Sequence, residues 1–298
     1  MPLKEPALGF SFCCLYLLAY CTNKYVLSVL KFTYPTLFQG WQTFVGGWLL
    51  VFCGRLGWVE ITHFSRSTAV SWLPGSLLFV VNIYAGSRSL SKLPIPIFFV
   101  LQNASEIVSY LCQRITKKER ASWLKLQSLL LLLVAAGCLP FCDPQFDPDG
   151  YLWSSVHVSS VGAYRVFQKL QKSSTLSDLE QQYINYFFSM ILLAFAAHPT
   201  GDLFGALEFP FLNSYNFLSG CCASGVLGFF LVVATVRLKR NVPGEHCGAW
   251  ICLAKVLSIL LTPLIFDFTV NIPTLLCLLF SCLGEALLVF SDQITAEK

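Results

Sequence analysis

The sequence predicts an all-α integral membrane protein of ten transmembrane helices, on the basis of its composition, its apolar runs and the positions of its basic residues. Of its 298 residues, 55% are hydrophobic and 12% are charged, and the mean hydropathy is +0.64. A soluble domain carries about 25% charged residues. At half that density a water-facing surface cannot be covered, so the lipid bilayer is the expected solvent.

Ten apolar runs have the length of membrane spans, because a helix needs about 20 apolar residues to cross the hydrocarbon core. The predicted spans are 7–30, 34–54, 70–90, 95–115, 123–141, 150–169, 183–199, 211–236, 247–266 and 274–291. The first run is interpreted as a helix and not as a signal peptide. Lys4 is the only basic residue before it, and the run is too long for a signal sequence.

The basic residues separate into two groups when the loops are assigned alternately to the two sides of the membrane. One side collects Lys4, Arg55, Arg66, Arg114, Lys117, Lys118, Arg120, Lys125, Lys169, Lys172, Arg237, Lys239, Arg240 and Lys298. The other side collects only Lys31, Arg88 and Lys92, with Asp143, Asp147, Asp149, Asp202, Glu208 and Asp267. The positive-inside rule makes the first side cytosolic, and an even number of spans puts both termini there.

The acidic segment 143–149 divides the chain into two halves of five predicted spans each. An odd number of spans per half forces the halves into opposite orientations. This is the arrangement of the inverted repeats that many secondary carriers use. We therefore expect a first five-helix repeat at 1–142 and a second, inverted repeat at 143–298.

The sequence carries no signature of an enzyme, a metal site or a bound cofactor. Most of its 13 cysteines lie inside apolar spans, where cysteine behaves as a small hydrophobic residue. No CxxC or Cys/His metal spacing occurs, and HExxH, GxSxG and P-loop patterns are absent from the sequence. Any transport is therefore expected to be secondary.

We consider five ionisable residues within the predicted spans, each a functional hypothesis because a charge in the bilayer is costly. Lys24 and Arg165 lie near span ends and could extend their charged groups to water, as could Glu285. Lys255 lies deep in the span 247–266, which favours a functional role for it. Glu106, the fifth, is best considered with its neighbours on the same helix.

Amide and aromatic side chains accompany these charges in two spans. Gln102, Asn103 and Glu106 share one broad helix face, which either lines a polar cavity or satisfies a neighbouring helix. Tyr183 and Asn185 open the seventh predicted span. Aromatic residues are common at the membrane interface, whereas an embedded amide needs hydrogen-bonding partners.

These side chains supply the chemistry that a nucleotide diphosphate-sugar would need. The ligand presents an anionic pyrophosphate, a base with hydrogen-bonding edges and a polyol. Lys255 supplies a cation, Asn185, Gln102 and Asn103 supply amides, and Tyr183 supplies an aromatic face. The same set would also suit another organic phosphate.

Three segments resemble a known family. They are NKYVL at 23–27, IYAGSRSL at 83–90, and PIPIF at 94–98 with Gln102 and Asn103 following. They resemble the Golgi GDP-mannose transporter branch of the nucleotide-sugar transporters, within the drug/metabolite transporter superfamily. The resemblance implies a ten-helix carrier with inverted halves, resident in the Golgi membrane. It adds Lys24 and Tyr84, which lie in these segments, to the candidate substrate-binding residues.

The chain departs from the family pattern at the positions that recognise the nucleotide and the sugar. The family's FYNN in the seventh helix corresponds to YINY at 183–186, and its GALNK in the ninth helix corresponds to ICLAK at 251–255. A lysine of the fourth helix is replaced by Gln102, and an early tyrosine by Phe12. The phosphate-binding lysine, Lys255, is kept while the guanine- and mannose-reading groups are mostly lost. A site built on buried hydrogen bonds discriminates strongly, which argues against GDP-mannose. Similar carriers handle UDP-sugars, so the resemblance implies a UDP-sugar as the substrate.

The resulting hypothesis is a secondary antiporter that moves a nucleotide-sugar, UDP-N-acetylglucosamine or a related UDP-sugar, into the Golgi lumen in exchange for a nucleoside monophosphate. Its expected surroundings are the lipid bilayer, with no nucleic acid as partner and a homodimer left open. The alternatives are GDP-mannose transport, transport of another organic phosphate by the same fold, and a non-transporting membrane scaffold.

Overall fold

A computed structural model of the chain describes residues 4–60, 65–117, 122–171 and 176–296. Within these ranges all regular structure is helical. The predicted basic side includes four residues that lie outside the described ranges, namely Lys118, Arg120, Lys172 and Lys298.

The helices follow the predicted spans closely. They are α1 Lys4–Lys24 with a π-helical turn at Tyr25–Val29, α2 Pro35–Arg55, α3 Arg66–Ser71, α4 Leu73–Lys92, α5 Ile95–Asn103, α6 Ser105–Lys117, α7 Trp123–Cys142, α8 Pro148–Leu170, α9 Asp178–Ala197, α10 Asp202–Leu207, α11 Tyr215–Asn241, α12 Gly244–Leu261 with a 3₁₀ turn at Thr262–Leu264, and α13 Ile272–Ala296. Only Ala104 separates α5 from α6, which together form one segment. Each of the ten predicted spans therefore coincides with a long helical segment of the described chain.

Six helical segments in the described ranges are long and apolar enough to cross a membrane. They are Glu5–Val29, Ile95–Ile115, Trp123–Cys142, Tyr215–Asn241, His246–Leu264 and Ile272–Ile294. The chain is thus an all-α membrane protein, as the composition predicts. The other four predicted spans, α2, α4, α8 and α9, are helices with more polar side chains, and their membrane crossing stays a prediction.

Helix starts are encoded locally by side-chain caps. Ser177 and Glu180 form a reciprocal capping box at the start of α9, with the backbone N–H of Ser177 donating to Glu180 Oε2 at 2.7 Å. Ser214 caps α11 by accepting from the backbone N–H of Phe217 at 3.2 Å. This cap begins the helix at Tyr215 rather than at 211, where the apolar run begins.

Ion pairs at the two ends of the bundle join residues that the sequence assigns to the same side. Lys125 Nζ lies 2.9 Å from Asp292 Oδ1, and Lys92 Nζ lies 2.9 Å from Asp149 Oδ2. We call the end that contains Lys125 the basic end and the end that contains Asp149 the acidic end.

The helices pack in a small set of strong contacts. α4 packs on α8, α1 on α11, α2 on α9, and α7 on α13, with further contacts of α6 on α8 and α1 on α12. A glycine permits one of these approaches, because a Cβ at Gly162 on α8 would lie 2.6 Å from Val108 Cβ on α6. Toward the acidic end apolar side chains pack together, among which Phe32 contacts Phe209 and Phe217 at ring-centroid distances of 5.2 and 4.8 Å.

Candidate functional site

A cavity of about 370 Å³ lies inside the bundle, among α1, α7, α8, α11, α12, α13 and the α5–α6 segment. We call it the charged chamber, because ionisable side chains from four helices line it. They are Glu106, Arg165, Lys255, Glu285 and Asp292. Three rings spaced one helical turn apart on α1, those of Phe12, Tyr16 and Tyr20, form an aromatic wall. The volume lies within the usual range for ligand pockets.

Lys255 is held in this chamber by a compact hydrogen-bonded cluster. Its side chain is buried, with 8% of the residue exposed, and Nζ donates to Glu285 Oε1 at 2.5 Å and to Asn103 Oδ1 at 2.8 Å. Asn103 Nδ2 donates in turn to Glu285 Oε2 at 3.1 Å and to Ser281 Oγ at 3.0 Å. The ammonium therefore faces the protein interior and has a counter-ion, as a buried charge requires.

A second ion pair connects the chamber to the basic end. Arg165 on α8 donates to Glu106 on α6, and both residues also line a separate cavity of about 410 Å³. Gln168, Lys169 and Lys239 line that outer cavity, which we call the basic vestibule. The same cavity is lined by Asp178, whose Oδ2 lies 3.6 Å from Lys239 Nζ.

A third cavity, of about 360 Å³, joins the charged chamber at Tyr20, Gln102 and Leu231, which line both. We call it the neutral chamber. Its described lining contains no Lys, Arg, Asp or Glu. Amides and an imidazole give it polar character, namely Gln39, Gln42, Asn82, His157 and Gln182. The two chambers together present a charged region and an uncharged polar region to one ligand.

The relatives of the chain give its family. No family model matches the chain. The "UDP-N-acetylglucosamine transporter TMEM241 homolog" of Xenopus laevis is 57% identical over 98% of this chain and 99% of its own length. The "UDP-N-acetylglucosamine transporter TMEM241" of Mus musculus is 56% identical with the same coverage. This chain belongs to the nucleotide-sugar transporter family.

More distant likenesses agree with that assignment. The "GDP-mannose transporter" of Komagataella pastoris is 27% identical over 75% of this transporter and 71% of its own length. A solved crystal structure superposes over 95% of the transporter and 96% of its own chain, with a TM-score of 0.58 and 16% identity, a likeness of fold alone. The family that the motifs indicate is therefore confirmed, and the GDP-mannose branch is the more remote one.

Three of the seven predicted substrate-binding residues of the transporter meet at one site. Lys255, Gln102 and Asn103 all line the charged chamber. Gln102 and Asn103 end α5, and Ala104 interrupts the segment directly after them. Interrupted helices that line a cavity are a recurring feature of secondary transporters.

Lys24 lies elsewhere, toward the acidic end. Its Nζ donates to the backbone carbonyls of Leu90 and Leu93, both at 2.8 Å, where α4 ends. It also lines a different cavity, of about 360 Å³, together with Ser91 and Pro94. A lysine at a helix C-terminus satisfies carbonyls that have no partner within the helix and interacts favourably with the helix dipole.

Asn185 lies outside both chambers and is bound to protein groups. It is fully buried, at 0% exposure, and its Oδ1 accepts from Trp72 Nε1 and Ser76 Oγ, both at 3.1 Å. Its Nδ2 donates to the hydroxyl of Tyr164 at 2.7 Å. These three bonds connect α9 to α4 and α8.

Tyr183 and Tyr84 also lie outside the two chambers. Tyr183 lines an apolar groove of about 200 Å³ between α2 and α9, beside Trp48. The ring of Tyr84 contacts Trp153 edge-on at 5.3 Å, and the Arg88 guanidinium lies 5.8 Å from its ring centroid. Tyr84 therefore packs where α4 meets α8.

Lys24 and Glu285 do not extend to water, although their positions suggested it. Each is 7% exposed, Lys24 being bound to backbone carbonyls and Glu285 to Lys255. The side chain of Arg165 is 35% exposed and is paired with Glu106. His157 was missed, although an ionisable side chain inside the predicted span 150–169 is the same signal that identified the other five.

Proposed function

We propose that this transporter exchanges UDP-N-acetylglucosamine from the cytosol for a nucleoside monophosphate across the Golgi membrane. Its frog and mouse relatives, at 57% and 56% identity, are named UDP-N-acetylglucosamine transporters. Within the chain itself, the observation that carries the proposal is Lys255, a buried cation at the wall of a polar cavity inside the helical bundle.

The pairing of Lys255 with Glu285 describes how a phosphate would bind. The carboxylate lies 2.5 Å from the ammonium, at the position that a phosphate oxygen would take. A phosphomonoester carries about −1.5 to −2 charges at neutral pH, and the pyrophosphate of a nucleotide-sugar carries a similar charge. One cation can therefore serve both ligands in turn. A single site gives exchange rather than net uptake when the carrier changes its orientation only with a ligand bound, and we propose this for the transporter.

We further propose ten membrane spans in two inverted repeats, 1–142 and 143–298. Helix contacts support this when the ten long segments are counted in order. The contact of the third with the sixth segment, α4 with α8, has a counterpart five segments on, α11 with α1. Likewise, α6 with α8 corresponds to α12 with α1, whereas α2 with α9 and α7 with α13 correspond to themselves. A pseudo-two-fold axis between the halves produces this pattern.

Alternating access then has a physical basis in the two ends of the bundle. The basic vestibule shares Glu106 and Arg165 with the charged chamber, which gives an anion a path from the basic end. Apolar side chains such as Phe32 and Phe209 pack together toward the acidic end. With the basic end in the cytosol, this conformation corresponds to a carrier ready to receive a cytosolic substrate, with both termini cytosolic.

Exchange in proteoliposomes tests the proposal. Purified full-length protein in vesicles loaded with UMP is expected to take up labelled UDP-N-acetylglucosamine, and empty vesicles are expected to take up much less. A panel of UDP-, GDP- and CMP-sugars as competitors defines the substrate. Uptake that prefers GDP-mannose would replace the substrate, and no exchange with any member of the panel would overturn the proposal.

A further inference from the structure

The neutral chamber contains an imidazole nitrogen without a protein partner. His157 Nδ1 lies 3.0 Å from the backbone oxygen of Asn82, which can only accept, so Nδ1 carries the proton and donates. The ring is 6% exposed, and burial disfavours its charged form. Nε2 is therefore an unprotonated acceptor, and it has no hydrogen-bonding partner among the described residues.

Two amide oxygens of residues that line the same cavity also lack a hydrogen-bonding partner. Asn82 Oδ1 and Gln102 Oε1 are buried and have no hydrogen-bonding partner in the described chain. Most buried polar atoms in native proteins are paired, so each exception requires an explanation. The three residues that carry these atoms belong to α4, α5 and α8, and all three line the neutral chamber.

Packing holds the imidazole against this cavity. A Cβ on Gly86 would lie 2.9 Å from His157 Nδ1, so the ring occupies the space that the glycine leaves. On another side the ring contacts Phe98 at a centroid distance of 5.1 Å. The acceptor thus belongs to a rigid wall formed by α4, α5 and α8.

We propose that the neutral chamber binds an uncharged, hydroxyl-bearing end of the ligand through His157, Asn82 and Gln102. The assignment rests on the proposed function and gives the substrate an orientation, with phosphate at Lys255 and hydroxyl groups in the neutral chamber. Hydroxyl groups of a hexose or of a ribose supply the donors that the three acceptors lack. An ionised phosphate has no donor to offer, and the described lining of this chamber has no cation to attract it.

Equilibrium binding to the purified full-length protein tests this assignment. The probes are UDP-N-acetylglucosamine, UMP and inorganic pyrophosphate, and the variants are His157→Phe and Asn82→Leu. Each variant is expected to weaken binding of UDP-N-acetylglucosamine about tenfold, because one buried hydrogen bond is lost. Pyrophosphate binding should stay unchanged, which also shows that the variant is folded. Ser159→Ala is the matched control, since its exposed hydroxyl bonds only within α8, to Ser155.

Comparing the loss of affinity for the three probes identifies which part of the substrate occupies the neutral chamber. Weakened binding of UDP-N-acetylglucosamine alone means that the hexose occupies the neutral chamber, and equal weakening of UMP means that the ribose does. Unchanged binding of both nucleotides in both variants would overturn this assignment alone, as would an equal weakening of pyrophosphate. Wild-type protein that binds pyrophosphate but neither nucleotide would overturn the proposed function together with it.

Discussion

The ammonium of Lys255 in the charged chamber is stabilised by neighbouring protein side chains. A lone ammonium inside a membrane protein would be costly, and removing one partner of a buried pair typically destabilises by about 3–5 kcal/mol. Glu285 and Asn103 both bind Lys255, and Asn103 also binds Glu285, so the three side chains form a closed triangle. The Lys255 ammonium is therefore held in an ion pair with Glu285.

Lys255→Ala is expected to abolish exchange of UDP-N-acetylglucosamine for UMP, because the variant loses the ammonium proposed to bind the phosphates, while Arg165 is already paired with Glu106. Initial uptake rates in UMP-loaded vesicles measure the effect, with detergent-solubilised size exclusion to show that the variant still folds. Lys92→Ala is the matched control, since Lys92 forms its ion pairs at the acidic end with Asp147 and Asp149. Near-normal uptake by Lys255→Ala would contradict the assigned role.

Glu285→Gln is expected to strengthen UMP binding several-fold. The substitution keeps the size of the side chain but removes the negative charge that competes with phosphate for Lys255. Equilibrium binding of labelled UMP measures the change, and Glu208→Gln, an exposed carboxyl outside the chambers, is the control. Unchanged or weaker binding would mean that phosphate does not take the place of this carboxylate.

At the scale of helices, the positions of polar side chains explain why four predicted spans are less apolar than the other six. A helix that faces a polar cavity presents part of its surface to water or ligand and needs fewer apolar residues to be stable. Each of the four contributes to the neutral chamber, through Gln39 on α2, Asn82 on α4, His157 on α8 and Gln182 on α9. These four polar side chains therefore have a cavity to face instead of lipid.

Lys24→Met is expected to destabilise the protein by about 1–3 kcal/mol, because two buried carbonyls where α4 ends lose a charged donor. Methionine is a comparably long, uncharged side chain. Chemical or thermal unfolding in detergent measures the loss, and UMP binding at low temperature should remain close to that of the wild type. Unchanged stability with weakened UMP binding would instead make Lys24 a substrate-binding residue, as the family motif suggests.

For the whole molecule, the separation of charge between the two ends predicts the topology. Epitope tags at both termini should be removed by external protease from sealed, cytosolic-side-out vesicles, and a tag inserted at 144–146 should be protected. The positive-inside rule and an even number of spans give this result. Opposite accessibility of the two termini would require an odd number of spans and would exclude the ten-span arrangement.

The sequence alone determined the helices, the separation of charge and the family. These depend on local features, such as the length of an apolar run or a short motif, which are readable without knowing what packs against them. The sequence also predicted that Lys255, Gln102 and Asn103 belong to a polar site, because a charge or an amide deep in an apolar run has few explanations.

Only the tertiary structure decided which polar groups satisfy each other. Glu285 lies 30 positions along the chain from Lys255, and Asn103 lies 152 away, yet all three meet in one cluster. Asn185 is bound to residues of α4 and α8, whereas His157 keeps one nitrogen free within the described chain. The sequence shows that a polar side chain in a span needs a hydrogen-bonding partner. Helix packing determines whether that partner is a protein group or a ligand.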